Sequence, residues 1–269
     1  MVLITPDELE KAFYKVLEDL KDFLPFLVIV GGWVPFIYNR FLWMVDVPRA
    51  SYTTDIDFGF TKKDFSIPNK TVYERLSKLG YGERHKKIGH LFPISPFLKM
   101  KNSNITIPLE FITDKNTPDE VIKNFIGKQI LVNKLKFINL LLKDPIQVRI
   151  KYKKTNLTVK VPSVSTYLFH KIITFGQRMD AEKKAKDAYY AYYVLRYHPD
   201  KASLEKELIE LQKHPACKYT LGVLENYFNS KLADGILLVE REFGPDPFID
   251  DLRQDIFERF AWLRAALRE

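Results

Sequence analysis

The chain of 269 residues has one cysteine, Cys217, and no long hydrophobic run. A single cysteine cannot form an internal disulfide, so disulfide-stapled secreted folds are excluded and a reducing cytoplasm is favoured. The longest apolar stretch near the N-terminus, Leu24 to Val30, is too short to cross a bilayer. The N-terminus also lacks the basic region and apolar core of a signal peptide. We therefore expect a cytoplasmic protein without a membrane partner.

Other familiar functional patterns are also missing. The histidines have no metal-ligand spacing with the lone cysteine, so the sequence gives no zinc site. No Ser–His–Asp order and no nucleophile elbow occur, so covalent serine catalysis has no support. Hydrophobic residues make up 46% of the chain and charged residues 28%, which is ordinary for a globular protein and argues against disorder.

Positive charge is concentrated in one part of the chain. The formal net charge of the chain is +8. The segment between Val121 and Lys186 alone contains fifteen cationic and three acidic residues, which gives it a net charge of +12. A concentrated basic zone favours a polyanionic partner, and nucleic acid fits this description best. A solvated lysine-rich face without a partner produces the same pattern, so both interpretations stay open.

The first part of the chain mixes helical and strand patterns. The sequence Thr5-Pro6-Asp7-Glu8 is a capping box with proline at the first helical position, and it predicts a helix to about Asp22. Periodicity predicts strands at Leu27–Val30, Thr54–Phe60 and Ile105–Ile112, a helix that begins near Trp33 and another helix at Lys70–Leu79.

The second part of the chain reads as helical. Ile146–Tyr152 and Leu157–Val161 alternate and predict a hairpin. After Pro162 the pattern predicts helices at 163–176, 179–197, 204–213, 218–228 and 247–267. We therefore predict an α+β fold, with a small mixed sheet flanked by helices in a first domain, 1–161, and a helical bundle in a second domain, 162–269.

Three carboxylates are spaced as ligands of a divalent metal. Asp55 and Asp57 are two residues apart in a predicted strand, so both side chains point to the same face. Two carboxylates that repel each other are tolerated when a cation lies between them. Glu110 lies inside another apolar strand, where an unpaired charge is costly. Each feature alone has a plainer reading, as a strand end or a turn.

The order of these features is more specific than any one of them. A strand leads into Gly31-Gly32 and a helix, a second strand carries Asp55 and Asp57, and a third carries Glu110. Gly31 and Gly32 would let the backbone approach a triphosphate, with N–H groups at the helix start pointing at it. Two Mg²⁺ ions held by the three carboxylates would clamp the attacking and leaving oxygens. The pattern predicts metal-assisted phosphoryl or nucleotidyl transfer from an NTP.

This arrangement resembles the DNA polymerase β-like nucleotidyltransferase superfamily. The resemblance covers Phe26 to Thr113 and includes Arg49 and Thr53-Thr54, a basic and hydroxyl lead-in to the Asp pair. It implies a small mixed sheet with helices packed mainly on one face. It also implies Mg²⁺-dependent transfer of a nucleoside monophosphate, with Asp55, Asp57 and Glu110 as metal ligands and catalytic residues.

A second stretch carries His170-Lys171, Arg178 and Lys186-Asp187, followed by Ala188-Tyr189-Tyr190. It resembles the helical part of abortive-infection type nucleotidyltransferases, which often act as toxins of toxin–antitoxin pairs. The resemblance implies phosphate contacts for Lys171 and Arg178, an additional catalytic or structural role for Asp187, and an antitoxin partner. Lys186-Asp187 as part of a polar helix face is the plainer alternative.

One departure from the superfamily keeps other functions open. Trp33 stands where a hydroxyl residue is usual, and Gly-Gly-Trp also occurs in enzymes that adenylylate aminoglycosides or lincosamides. Most aromatic residues of the segment 33–54 are expected in the core, although such side chains also stack on bases. Transfer to RNA, with a tRNA 3′ end as the expected acceptor, therefore competes with modification of an antibiotic and with a non-catalytic nucleic-acid-binding module. The basic zone, 121–186, favours RNA.

Overall fold

The computed structural model describes residues 5–45, 53–61, 70–88, 93–100, 106–245 and 249–268. The chain forms two compact units, Met1–Ile37 with Tyr52–Pro162 and Tyr38–Ser51 with Ser163–Glu269. The first contains a mixed sheet with helices and the second is helical, so the predicted fold class is confirmed. The second unit also takes in the segment 38–51, and the domain boundary predicted at residue 161 stays a prediction.

The first unit contains eight strands and five α-helices among its described residues. The strands are β1 (Val28–Val30), β2 (Ile56–Gly59), β3 (Gly82–His85), β4 (Ile94–Lys99), β5 (Thr106–Asp114), β6 (Val132–Leu135), β7 (Ile146–Tyr152) and β8 (Thr155–Val161). The helices are α1 (Pro6–Asp19), α2 (Val34–Ile37), α3 (Val72–Lys78), α4 (Asp119–Phe125) and α5 (Asn139–Leu142). The predicted capping box of α1 is present, with Glu8 and Thr5 bonding reciprocally.

The strands form one mixed sheet in the order β3-β4-β5-β2-β1-β8-β7, with β6 paired to β5. Strand β1 is antiparallel to β2 and parallel to β8, and β2 is parallel to β5. The three predicted strands are present as β1, β2 and β5, and the predicted hairpin is β7–β8. Strands β3, β4 and β6 were not predicted.

Helices α1 and α4 cover one face of this sheet. Tyr14 of α1 stacks on Tyr152 of β7 with ring centroids 4.6 Å apart, and Phe125 of α4 lies 5.6 Å from Phe60. Phe58 of β2 stacks on Phe111 of β5 on the same side. Side chains alternate along a strand, so the residues between these aromatics point to the opposite face. We call that opposite face, which carries Asp57 and Glu110, the carboxylate face.

The second unit contains six α-helices among its described residues. They are α6 (Val164–Gln177), α7 (Ala181–Tyr197), α8 (Lys201–Leu211), α9 (Cys217–Tyr227), α10 (Asp234–Phe243) and α11 (Leu252–Ala266). All but α10 match predicted helices within a few residues. Phe228 and Phe260 stack at 4.0 Å in the core. Within the described ranges, no helix has the length and apolar character needed to cross a bilayer.

Candidate active site

The predicted glycine turn lies directly against the second aspartate. Gly31 begins a 3₁₀ turn, Gly31–Trp33, and has φ of +70°, a conformation that side-chain-bearing residues rarely adopt. A Cβ atom on Gly31 would lie 1.8 Å from Oδ2 of Asp57. The carboxylate of Asp57 therefore occupies the space that a side chain at position 31 would need, and the turn requires glycine for two independent reasons.

Glu110 is the neighbour of Asp57 across the sheet. Strands β2 and β5 run parallel with Asp57 and Glu110 in register. Adjacent strands lie about 4.8 Å apart, and paired residues share a face, so both carboxylates emerge side by side on the carboxylate face. The amide of Asn133 on β6 donates a hydrogen bond to Oε2 of Glu110 at 3.2 Å. Sequence reasoning missed Asn133, because no local pattern shows that β6 pairs with β5.

Asp55 lies immediately before β2 and is held by two neighbours. The hydroxyl of Thr53 donates a hydrogen bond to its carboxylate. The indole N–H of Trp33 donates to its backbone carbonyl at 2.9 Å. Trp33 is buried and stacks on Phe13 with ring centroids 4.2 Å apart. The prediction that this aromatic belongs to the core is confirmed, and Trp33 also links the glycine turn to the strand with the aspartates.

The donor chemistry of these residues suits a hard divalent cation, because carboxylates supply only oxygen ligands. Among the described residues, no group of three or more His, Cys, Asp or Glu side chains is arranged to hold a metal ion. The structure thus brings Gly31, Asp57 and Glu110 together and ties Asp55 to them through the backbone. The three-carboxylate metal site stays a prediction, and Arg49 of the predicted lead-in lies outside the described residues.

In the second unit, Asp187 binds both predicted phosphate-contacting cations. Its Oδ1 lies 2.6 Å from Nζ of Lys171, and its Oδ2 lies 3.1 Å from Nε of Arg178. The side chains of Asp187 and Lys171 are buried, whereas that of Arg178 is 42% exposed. Burial raises the pKa of the Asp187 carboxyl, but the two cations outweigh burial and hold this pKa below its usual value. Asp187 is therefore an ionised, buried residue and not part of a solvated helix face.

His170, next to this cluster, is buried and uncharged at neutral pH. Burial lowers its pKa to about 4, and the positive charges of Lys171 and Arg178 act in the same direction. The ammonium group of Lys171 also lies 5.1 Å from the ring centroid of Tyr190. This environment suits a packing role and gives no support to His170 as a base at neutral pH.

A cleft of about 830 Å³ in the first unit lies away from the candidate site. Its lining includes Val28 at the start of β1, Thr61 after β2 and Asp114 at the end of β5. Gly31 follows the end of β1 and Asp55 precedes β2, so these residues belong to the other end of the sheet. None of the predicted site residues lines this cleft.

Comparisons with known proteins bear on the activity. No curated protein matches the chain. A crystal structure of an antigenic nucleotidyltransferase-like protein from Paracoccidioides brasiliensis matches with 15% sequence identity and a TM-score of 0.42, covering 82% of this chain and 94% of that one. Residues 11–212 match a protein-family model described as Nucleotidyltransferase. Because this match spans most of the chain, including the glycine turn and all the predicted carboxylates, the protein belongs to this nucleotidyltransferase family and is a transferase.

Proposed function

We propose that this enzyme uses Mg²⁺ to transfer a nucleoside monophosphate from an NTP to a hydroxyl group of RNA. The observation that carries the metal-dependent site is the position of Asp57, which lies against Gly31 and in register with Glu110. A backbone turn suited to phosphate thus adjoins two carboxylates suited to a cation. Nucleotidyl transfer needs these two parts in one place.

Each residue has a specific task in this proposal. Asp55, Asp57 and Glu110 would hold two Mg²⁺ ions, which when bound neutralise the triphosphate and polarise the attacking hydroxyl. Gly31 and Gly32 would bring backbone N–H groups close to the phosphates. Trp33 would keep Asp55 in place through its bond to the backbone carbonyl.

The two cations of the second unit to which the resemblance gives phosphate contacts differ in their exposure. Arg178 is part-exposed and keeps further N–H donors beyond the Nε that binds Asp187. Lys171 is buried and already paired with Asp187. We propose that Arg178 supplies the direct phosphate contact, and that Asp187 and Lys171 position it. In this scheme Asp187 has a structural role and not a catalytic one.

RNA as acceptor is supported by the basic zone, whose net charge of +12 suits a polyanion better than a cationic antibiotic. The tRNA 3′ end is the acceptor that we propose. The resemblance of His170-Lys171, Arg178 and Lys186-Asp187 to abortive-infection type enzymes supports a further role as a toxin with an antitoxin partner. Growth arrest on expression of the wild type, but not of Asp57→Asn, is the expected result for a toxin.

The transfer itself is tested with purified protein, Mg²⁺, each α-labelled NTP in turn, and total RNA. We expect label in RNA with wild type and none with Asp57→Asn. A matched control is Asp114→Asn, because Asp114 lies on β5 four residues beyond Glu110 and is not assigned to the site. Equal labelling by wild type and Asp57→Asn would refute the proposal. Label on an added aminoglycoside or lincosamide, and none on RNA, would replace RNA with an antibiotic as the acceptor.

A further inference from the structure

The β7–β8 hairpin presents a polar and cationic surface on one side only. Val148 and Ile150 of β7 and Leu157 and Val159 of β8 are buried. The residues between them point the other way, and most are exposed. We call this surface the hairpin face and define it by Gln147, Arg149, Lys151, Asn156, Thr158 and Lys160, together with Lys153 and Lys154 of the connecting turn.

The hairpin face has no acidic residue of its own. The sequence contains no Asp or Glu between Asp144 and Asp180. Glu18 of α1 approaches the hairpin, where the hydroxyl of Thr155 lies 3.5 Å from its Oε1. Thr155 alternates with the exposed residues and shares its side of β8 with the buried Leu157. The carboxylate of Glu18 therefore lies on the covered side, with α1, and does not neutralise the hairpin face.

Several other cations of the basic zone have partners within the protein. Lys134 binds Asp119 at 2.6 Å, Lys171 binds Asp187, and Lys184 lies 4.2 Å from the ring centroid of Tyr227. By contrast, Arg149, Lys151 and Lys154 form no ion pair with any described residue. The structure thus divides the basic zone into cations that serve the fold and a group on the hairpin that faces solvent.

The register of the sheet puts the hairpin face and the candidate active site on the same side. Lys160 of β8 pairs with Val28 of β1, and two residues further along β1 Val30 pairs with Asp57. Paired residues share a face, and residues two apart in a strand share it too. Three strand spacings and four residue rises place Arg149 about 20 Å from Asp57.

We propose that the hairpin face binds the phosphate backbone of the RNA acceptor while the 3′ end of that RNA reaches Asp57. This inference rests on the proposed function and adds the surface that selects RNA over a small acceptor. Charge complementarity favours a polyanion, and the surface offers amide and hydroxyl groups from Gln147, Asn156 and Thr158 beside the cations. Both kinds of group contact phosphate and sugar oxygens. An RNA that spans both regions would pass α5, whose Leu142 packs over Gly59 on this face.

The test measures the affinity for fluorescein-labelled total tRNA by fluorescence anisotropy over a range of salt concentrations. All variants carry Asp57→Asn, so that no nucleotide is transferred during the measurement. The hairpin variant replaces Arg149, Lys151 and Lys154 by glutamine. The control variant replaces Lys11, Lys21 and Lys78 by glutamine. These three lysines are exposed in the same unit, on or beside helices α1 and α3, and give the same change in net charge.

We expect the hairpin variant to bind tRNA about tenfold to a hundredfold more weakly at physiological salt. The slope of log affinity against log salt concentration should become shallower by about two to three ion equivalents. The control variant should keep the affinity and the slope. Affinity unchanged in the hairpin variant would overturn the inference. Equal losses in both variants would also overturn it, because net charge and not this surface would then be responsible.

Two further measurements separate the possible failures. If the hairpin variant does not fold, the double variant of Lys151 and Lys154 replaces it, and its salt slope should fall by about two ion equivalents. Nucleotide transfer is measured separately with an intact Asp57. Weak tRNA binding together with residual transfer at high RNA concentration supports the inference. Weaker tRNA binding by the hairpin variant, with no nucleotide transfer even by the protein with Asp57 intact, would refute the proposed function and leave the inference about the hairpin face standing.

Discussion

Substitution of Gly31 by alanine tests the contact on which the candidate active site is built. Alanine at φ of +70° costs about 1–2 kcal/mol of backbone strain. Its methyl group would also overlap Oδ2 of Asp57, which would have to retreat by about 1.5 Å to reach van der Waals distance. A displacement of about 1 Å near the reacting groups can lower the rate about 100-fold. We therefore expect labelled-NTP transfer to fall at least about 100-fold in Gly31→Ala.

Gly80→Ala is the matched control for this experiment. Gly80 has φ of +75° and no neighbouring atom within 4 Å of an added Cβ, so it shares the backbone strain without the contact. Both variants should unfold about 2–8 °C below wild type, as a loss of 1–2 kcal/mol implies. Only Gly31→Ala should lose activity. If Gly31→Ala transfers label within a few-fold of Gly80→Ala, the reasoning about Asp57 is refuted.

Three further predictions concern burial and hydrogen bonding. Asp187→Asn leaves the buried ammonium of Lys171 without its counter-charge and should lower the free energy of unfolding by about 3 kcal/mol or more in urea titrations; a loss under about 1 kcal/mol would contradict this. The pKa of His170 is about 4 in the folded protein and near 6.5 in the unfolded chain. Neutral His170 therefore contributes on the order of 3 kcal/mol to the free energy of unfolding above pH 6.5, and this contribution is lost as the pH falls towards 4. His170→Gln should therefore flatten the pH dependence of stability in this range, and an unchanged curve would assign the acid sensitivity to other groups. Trp33→Phe keeps an aromatic side chain but removes the indole N–H that binds the Asp55 carbonyl, together with part of the buried ring, so we expect a loss of at least about 1 kcal/mol in stability and a several-fold lower transfer rate. Activity equal to wild type would show that this bond does not position Asp55.

Local sequence patterns predicted the helices and strands that are marked by a capping box or by alternation of apolar residues. The capping box at Thr5 and Glu8 determined the start of α1, and alternation determined β5 and the β7–β8 hairpin. Strand β4 was missed because Pro96 lies within it, and proline argues against an interior strand position. Strand β6 has four residues, two of them exposed, and offers too little alternation to detect. Helix α10 starts at Asp234-Gly235, a pair that reads as a turn.

In the candidate site too, the sequence predicted the features that depend on neighbouring residues. The sequence predicted that Asp57 and Glu110 lie on strands and that Gly31 ends one, because these assignments depend on neighbouring residues. The order of the motifs also predicted that the carboxylates lie beside the glycine pair, whereas the direct contact between Asp57 and Gly31 depends on strand pairing and register, which are long-range. Trp33 stands where the superfamily usually has a hydroxyl residue, and the structure shows that its indole binds the Asp55 backbone. A buried tryptophan N–H needs a hydrogen-bond acceptor. The expected burial of Trp33 was therefore the sequence signal for such a bond.

Direct measurement of metal binding tests the central claim, that the carboxylates beside Gly31 hold divalent cations. Mn²⁺ replaces Mg²⁺ at oxygen sites and is counted by electron paramagnetic resonance during titration in the presence of NTP. We predict that wild type and Asp114→Asn bind Mn²⁺ equally, and that Asp57→Asn and Glu110→Gln each lose most of the protein-dependent binding. Equal Mn²⁺ binding by all four proteins would contradict the claim and place the metal elsewhere.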